Sequence, residues 1–364
     1  MLLEGLHIPL TTPFHPDGRL NLPKLAANIV RYSKSPAAGL IVLGPSGEPT
    51  LLTDEETHEV LRAAAQAAAP EKILIAGVSR DSVRATLALA EFAAEQNYDA
   101  ILVGVPSIFA LDRPAAAAAA SEQSKSTPRR ELLHYFQTIS DRSPLPVVLF
   151  SHRDRRIPLE ATVELAAHPN ILGLLDGAAS PSEIEAILRR TATIKREVTV
   201  TTVFSAVTAR MKIAAGRAPA SLVSANSLTA DRAASAIAAA ETPPTLLRTR
   251  TKTVGFQIIC TNAPRMLDAL NSGAVGIAPP IAAAAPQACY EVFAAWKDQD
   301  QPLAQEKQQR LLEAAFLAGT FEAGALKYAA DLNGYFGGWP RLPHLPPAGD
   351  QRAALEQLMK QLRN

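Results

Sequence analysis

Short apolar, β-branched runs recur along the chain, separated by alanine-rich amphipathic stretches. They are GLHIPLTT (5–12), GLIVLG (39–44), ILIAGV (73–78), DAILVGV (99–105), PVVLF (146–150), ILGLL (171–175), FQIIC (256–260) and AVGIAP (274–279). Runs that are apolar at nearly every position predict strands covered on both faces. Strands alternating with helices predict a parallel sheet, and eight strands is the number that closes a barrel. No G-x-G-x-x-G follows the first run, which disfavours an open doubly wound sheet. The expected fold class is therefore α/β, a (β/α)8 TIM barrel.

Helix signals fall between these runs. Thr53 followed by Glu56 is a capping box, and the stretch SRDSVRATLALAEFAAEQNYD carries an apolar stripe ending at Asn97, placed to terminate a helix. Two segments break the rhythm. Residues 111–131 are rich in Ala, Ser, Lys and Pro, which predicts a mobile loop with at least one helical turn. Residues 197–252 contain a ninth strand candidate, VTVTTVF (198–204), and SLVSA, both too apolar to stay solvated. This insertion is expected to fold against the barrel. The expected organisation is a barrel over 1–285, insertion included, with a packed C-terminal helical extension over 286–364.

Composition narrows the classes. The 364 residues are 48% hydrophobic and 20% charged, with a formal net charge of +1, which points away from nucleic acid or an anionic membrane as partner. Apolar stretches are too short and too often broken to span a bilayer. The stretch MLLEGLHIPLTTPF lacks a basic n-region and a cleavable apolar core, so it does not read as a secretory leader. Cys260 and Cys289 form no spacing motif and read as buried free thiols. A reduced, cytoplasmic protein is the expectation.

The ordered motifs IPLTTPFHPDGRLNLPKL, GLIVLGPSGEPTLLTDEE, DAILVGVPSIF and SGAVGIAPPIAAAAPQACYEVFAAW resemble the dihydrodipicolinate synthase and N-acetylneuraminate lyase superfamily of pyruvate-dependent barrel aldolases. The resemblance implies an imine between pyruvate and a lysine at the end of strand six. That chemistry needs a neutral amine, a proton shuttle and a cradle for the carboxylate. In GLLDGA the lysine position is Leu175, and in VVLFSHRDRR the shuttle tyrosine is Phe150. The family turn, Gly-Thr-Thr-Gly-Glu, reads here as Gly-Pro-Ser-Gly-Glu. Pro45 removes one hydroxyl and one N–H, whereas Ser46 keeps both. PSIF replaces the Pro-Tyr-Tyr of strand four.

No lysine has migrated to another predicted strand end. Those ends offer Thr11, Thr12, Ser46, Glu48, Ser79, Arg80, Ser107, Ser151, His152, Arg153, Asp176, Thr261 and Asn262, with Arg155 close by. Lys195, Lys212 and Lys252 lie in or beside the large insertion, whose position over the mouth would be needed to bring them in. Position by position, Arg155 matches the arginine that such synthases use for the second substrate's carboxylate, and His152 has the chemistry of a general base. For Arg153, Asp154 and Arg156 a solvated, salt-bridged loop is favoured; for Arg155 the two readings balance; for His152 a rim position is favoured. Asp176 and Glu48 read as structural carboxylates, and Cys260 as core. No metal site or cofactor is expected, since only His152 and Asp176 qualify as ligands by position.

Two functions follow. One is a non-catalytic relative, a pseudoenzyme candidate that binds a small anionic metabolite near Ser46, His152, Arg155 and Asp176. The alternative is a lyase acting on a small oxo-acid-like substrate without a lysine. A mouth filled by Phe150, Leu175 and Ile108 favours the first; an open polar mouth with His152 pointing inward favours the second. The family implies a homo-oligomer, a dimer or tetramer.

Overall fold

The computed structural model describes residues 1–109, 122–152, 154–178, 180–216, 248–320 and 322–362. Among these described residues are ten strands: β1 (Gly5–Pro9), β2 (Gly39–Val42), β3 (Ile73–Gly77), β4 (Ala100–Gly104), β5 (Val147–Ser151), β6 (Ile171–Asp176), β7 (Arg196–Thr201), β8 (Thr249–Val254), β9 (Gln257–Cys260) and β10 (Gly276–Ile277). All but β7 and β8 close into one parallel barrel, in the order β1-β2-β3-β4-β5-β6-β9-β10. The eight predicted runs are its eight staves, with AVGIAP contributing only the two residues of β10.

Alternation along each strand explains the apolar runs. Leu40, Val42, Leu74, Ile101, Val103, Leu149 and Leu174 pack outward in the core shared with the helices. Ile41, Ile75, Leu102, Val148, Leu175 and Ile259 form a separate core inside the barrel. Both faces are dry, so no polar alternation survives in the sequence. His7 and Gln257 are the buried polar exceptions near the N-terminal end. His7 Nε2 lies 3.0 Å from the Leu3 carbonyl, and Gln257 Oε1 accepts from Leu3 N–H at 2.7 Å.

Helices α1 (Leu22–Ser33), α2 (Asp54–Ala67), α3 (Val83–Glu95), α4 (Glu122–Arg142), α5 (Leu159–Ala166) and α6 (Pro181–Arg190) follow the first six strands. Thr53 and Glu56 form the expected box at the start of α2, and Ser180 with Glu183 forms another at α6. Asn97 takes the left-handed conformation, φ 61°, that lets the chain turn from α3 into β4. Helix α4 begins inside the predicted loop 111–131, whose residues 111–121 lie outside the described residues.

The insertion does pack on the barrel, but at the end opposite the mouth. VTVTTVF is no barrel strand; β7 pairs antiparallel with β8, a strand absent from the sequence reading. Val198 and Val200 join the barrel-interior core beside Leu3 and Leu172. α7 (Ala209–Gly216) begins where Asp99 Oδ1 accepts from Ala209 N–H at 2.6 Å, and Arg210 donates to the Lys72 carbonyl. Lys72 and Asp99 precede β3 and β4, which places these contacts at the N-terminal ends of the strands. Lys252, paired with Glu4 at 2.9 Å, is there too. The insertion therefore does not bring a lysine to the mouth. SLVSA and the rest of 217–247 lie outside the described residues.

The chain continues through α8 (Met266–Asn271), α9 (Pro286–Lys297), α10 (Gln301–Thr320), α11 (Glu322–Leu332) and α12 (Gly349–Met359). Asn333 ties this extension to the barrel, donating to the carbonyls of Ala284 (2.9 Å) and Leu362 (3.1 Å).

Candidate functional site at the barrel mouth

Leu175 sits near the C-terminal end of β6, 3% exposed, opposite Phe150 on β5 and Ile259 on β9. All three side chains belong to the barrel-interior cluster, Phe150 at its half-buried margin. The Phe150 ring also lies across Gly104, where a Cβ would stand 3.3 Å from its Cδ1. The floor of the mouth is thus apolar where the family resemblance places an amine and a phenol. Ile108 does not complete it: this side chain is 68% exposed and faces solvent.

The turn after β2 folds across the β3 side. A Cβ at Gly77 would collide with the Leu43 carbonyl, so the close approach requires glycine. Pro45–Gly47 form a single 3-10 turn, in which Gly47 N–H donates to Gly44 O at 2.8 Å and Glu48 N–H to Pro45 O at 3.3 Å. Pro45 fits the first helical position, where its missing N–H leaves no intrahelical bond unmade. Ser46 is half-buried, and its hydroxyl makes no bond to a described residue. Thr12 Oγ1 donates to the Gly47 carbonyl at 2.8 Å, bracing the turn. Thr11 Oγ1 is buried without a hydrogen-bond partner among the described residues.

On the opposite side, His152 and Arg155 exchange backbone hydrogen bonds of 3.3 and 3.2 Å. The His152 ring stands on the rim, its side chain 45% exposed, with Nδ1 3.3 Å from Asp154 Oδ2. Arg153 lies outside the described residues. Arg156 pairs with Glu183 on α6 at 2.8 Å. The guanidinium of the half-buried Arg155 forms no hydrogen bond or ion pair with a described residue. Its charge still reaches Asp81, whose carboxyl is held below the usual range chiefly by the hydroxyl and N–H of Ser107 and further by Arg155.

Asp176 accepts from Ala178 N–H at 2.7 Å, ordering the strand-to-helix turn after β6. Cys260 faces the helical layer, where burial pushes its thiol up to about 12, far from a reactive thiolate. Cys289 is likewise buried and free. Among the described residues no three His, Cys, Asp or Glu side chains converge on a metal position.

Sequence reasoning missed Lys327. It is fully buried on α11, ion-paired with Glu48 Oε1, and donates to the Trp339 carbonyl at 2.9 Å. Burial pushes its amine down to about 8, against the opposing pull of Glu48. It is no strand-end residue, and only the folded C-terminal extension brings it to this edge of the mouth.

The Dihydrodipicolinate synthetase family model matches residues 2–112, which carry β1 to β4. The 4-hydroxy-tetrahydrodipicolinate synthase of Xanthomonas axonopodis pv. citri is 31% identical over 192 residues. The N-acetylneuraminate lyase of Rhizobium meliloti is 29% identical over 189. Among solved structures, YagE of E. coli K12, a dihydrodipicolinic acid synthase family protein in complex with pyruvate, superposes with a TM-score of 0.71. It is 21% identical, over 100% of this chain and 99% of that one. Dihydrodipicolinate synthase from Aquifex aeolicus gives 0.72 at 18% identity, over the whole of both chains. About half of the chain is thus similar to members of the dihydrodipicolinate synthase and N-acetylneuraminate lyase superfamily, and the solved neighbours share its fold.

The solved neighbours share the barrel of this superfamily. The two curated relatives are matched over 58% of their length, corresponding to 52% and 51% of this chain. The family-model match ends after β4, before Phe150 and Leu175.

Proposed function

We propose that this chain is a superfamily barrel that has given up imine chemistry and binds a small anion at its mouth. The observation that carries the reading is Leu175, packed with Phe150 and Ile259 at the inward position near the end of β6. Leucine offers no nucleophile, and the phenylalanine beside it offers no proton shuttle. Lys327, the buried amine nearest in the fold to the turn, is enclosed and committed to Glu48, so it presents nothing to a carbonyl carbon. The anion would sit between Arg155 and the Ser46 turn, with His152 and Asp176 bordering it. A cytoplasmic, self-associating protein is part of the same proposal, on family habit. Among the described residues no helix is long and apolar enough to cross a membrane.

Borohydride trapping with pyruvate, read by intact mass, tests the central claim. No adduct is expected. A single stoichiometric adduct overturns the assignment of Leu175 to the lysine position or the conclusion drawn from it.

One observation favours a second reading. His152 Nδ1 accepts from Asp154 N–H at 3.3 Å and lies as close to its carboxylate, contacts that hold the imidazole at the rim of the mouth. A lyase acting on an oxo-acid without a lysine would use it. Turnover that disappears in His152→Gln, with no adduct in the trapping experiment, would establish that reading instead.

A further inference from the structure

Lys327 gathers three segments that are far apart in sequence. Its Nζ is ion-paired with Glu48 from the turn after β2 and donates to Trp339 O from the strap after α11. It also stands 4.4 Å from the centroid of the Phe14 ring, in the loop after β1. The strap is closely fitted. A Cβ at Gly337 would collide with the Lys327 carbonyl, and Gly338 takes φ 70° against Phe14. Arg341 then donates from its backbone N–H to Glu48 Oε2 at 3.0 Å, while its guanidinium holds both oxygens of Glu56 and the Leu51 carbonyl.

Glu48 is the point on which these contacts converge. Its backbone is left-handed, φ 54° and ψ 44°, a conformation disfavoured for any residue with a Cβ. Its N–H closes the 3-10 turn that carries Ser46. The left-handed exit persists because the surrounding structure over-determines it, and the carboxylate is where that determination is applied. Pro45 has already removed one donor from the turn, so the donors left must be held in place for the turn to grip anything.

We infer that Lys327 is a positioning residue. Through the Glu48 carboxylate it holds the turn after β2 in the shape that presents the Ser46 N–H and hydroxyl. The C-terminal extension thereby sets the affinity of a site to which it contributes no ligand atom. The affinity half of this inference rests on the anion-binding reading above; the tether itself does not.

The double variant Glu48→Gln/Lys327→Met tests it, because removing both charges avoids an unpaired buried ion that would unfold the protein for a trivial reason. Hydrogen exchange on the full chain reads the tether. Exchange at Gly47 and Glu48 N–H should quicken by about tenfold or more, while the amides of β2 and β5 stay within about twofold of wild type. Calorimetric titration with 2-oxoglutarate reads the affinity, which should fall about tenfold. Unchanged protection at Gly47 and Glu48, or equal loss at every strand, overturns the tether and leaves Lys327 a packing residue. If wild type does not bind 2-oxoglutarate, the anion reading falls and takes the affinity half with it. The exchange result then still decides the tether.

Discussion

Phe150 and Leu175 stand opposite each other on β5 and β6, and both side chains pack into the apolar interior of the barrel. On the proposed reading these are the places where an imine-forming relative would carry its amine and proton relay. Here the pair is continuous with Leu102, Val148 and Ile259, so its first contribution is to stability.

Leu175→Ala should therefore cost about 2–5 kcal/mol, the range for a buried leucine whose neighbours only partly collapse into the space left behind. Denaturant unfolding of wild type and variant measures it. A loss below about 1 kcal/mol would mean that Leu175 lines open space, as a residue facing a ligand pocket does.

Much of this was legible in the chain. Eight apolar runs gave eight staves because a barrel strand is dry on both faces, and Thr53 with Glu56 marked a helix start through purely local bonds. What stayed hidden depends on distant partners. Strand β8, RTRTKTV in outline, alternates charge and threonine and reads as loop until β7 lies beside it. VTVTTVF reads as a ninth strand in an insertion, but the sequence does not say where it packs; Val198 and Val200 are buried under the barrel floor. Lys327 carries no local signal at all, since its partners Glu48, Phe14 and Trp339 meet only in the folded molecule. Ile108 shows the opposite failure: an apolar residue beside the mouth that points to solvent.

His7 predicts an acid-sensitive barrel. It is fully buried on β1, and burial pushes its pKa down from 6.5 to about 4, against the opposing effect of its bond to the Leu3 carbonyl. The unfolded chain thus binds the proton more readily than the folded one. Stability from this group is complete above pH 6.5 and drains away as the pH falls toward 4. Each unit of displacement is about 1.4 kcal/mol, so the loss should be on the order of 3 kcal/mol. His7→Gln retains a donor for Leu3 O without titrating, and its unfolding free energy should be flatter over that window. Parallel pH profiles for the two proteins would show that His7 is not held neutral by burial.

Asp99 should anchor the insertion to the barrel. Its carboxylate accepts from Leu74 N–H at 2.9 Å and Ala209 N–H at 2.6 Å, and Arg210 lies 4.0 Å away. Burial raises its pKa while the two N–H donors pull it down. Asp99→Ala strands both donors and a buried guanidinium, an expected loss of about 3 kcal/mol or more. Limited proteolysis should then open new cleavage within 196–216, ahead of any cut in β1 to β6. Protease resistance of that segment equal to wild type would show that the hairpin is held by Val198 and Val200 alone.

Arg155 provides the last prediction, that whatever small molecule binds the mouth is an anion. Its guanidinium is half-buried and forms no hydrogen bond or ion pair with a described residue, so its planar fork of donors remains available. Across the mouth the Ser46 hydroxyl is also uncommitted, but proline at 45 has deleted one N–H from the turn. A hydrogen bond to a charged group is worth about 1.5–3 kcal/mol, so a simple 2-oxo acid held by this turn alone should bind poorly. A longer dicarboxylate or a phosphate ester, with one anionic group for Arg155 and a second acceptor for Ser46, recovers what the turn has lost. Thermal-shift screening of such metabolites should raise the melting temperature of wild type, with the shift shrinking as salt is added. Arg155→Ala should lose it, while its own melting temperature stays close to wild type because no described partner is left unpaired. If only neutral compounds stabilise wild type, or if the variant responds equally to the anions, Arg155 belongs to the solvated loop after β5 and takes no part in binding.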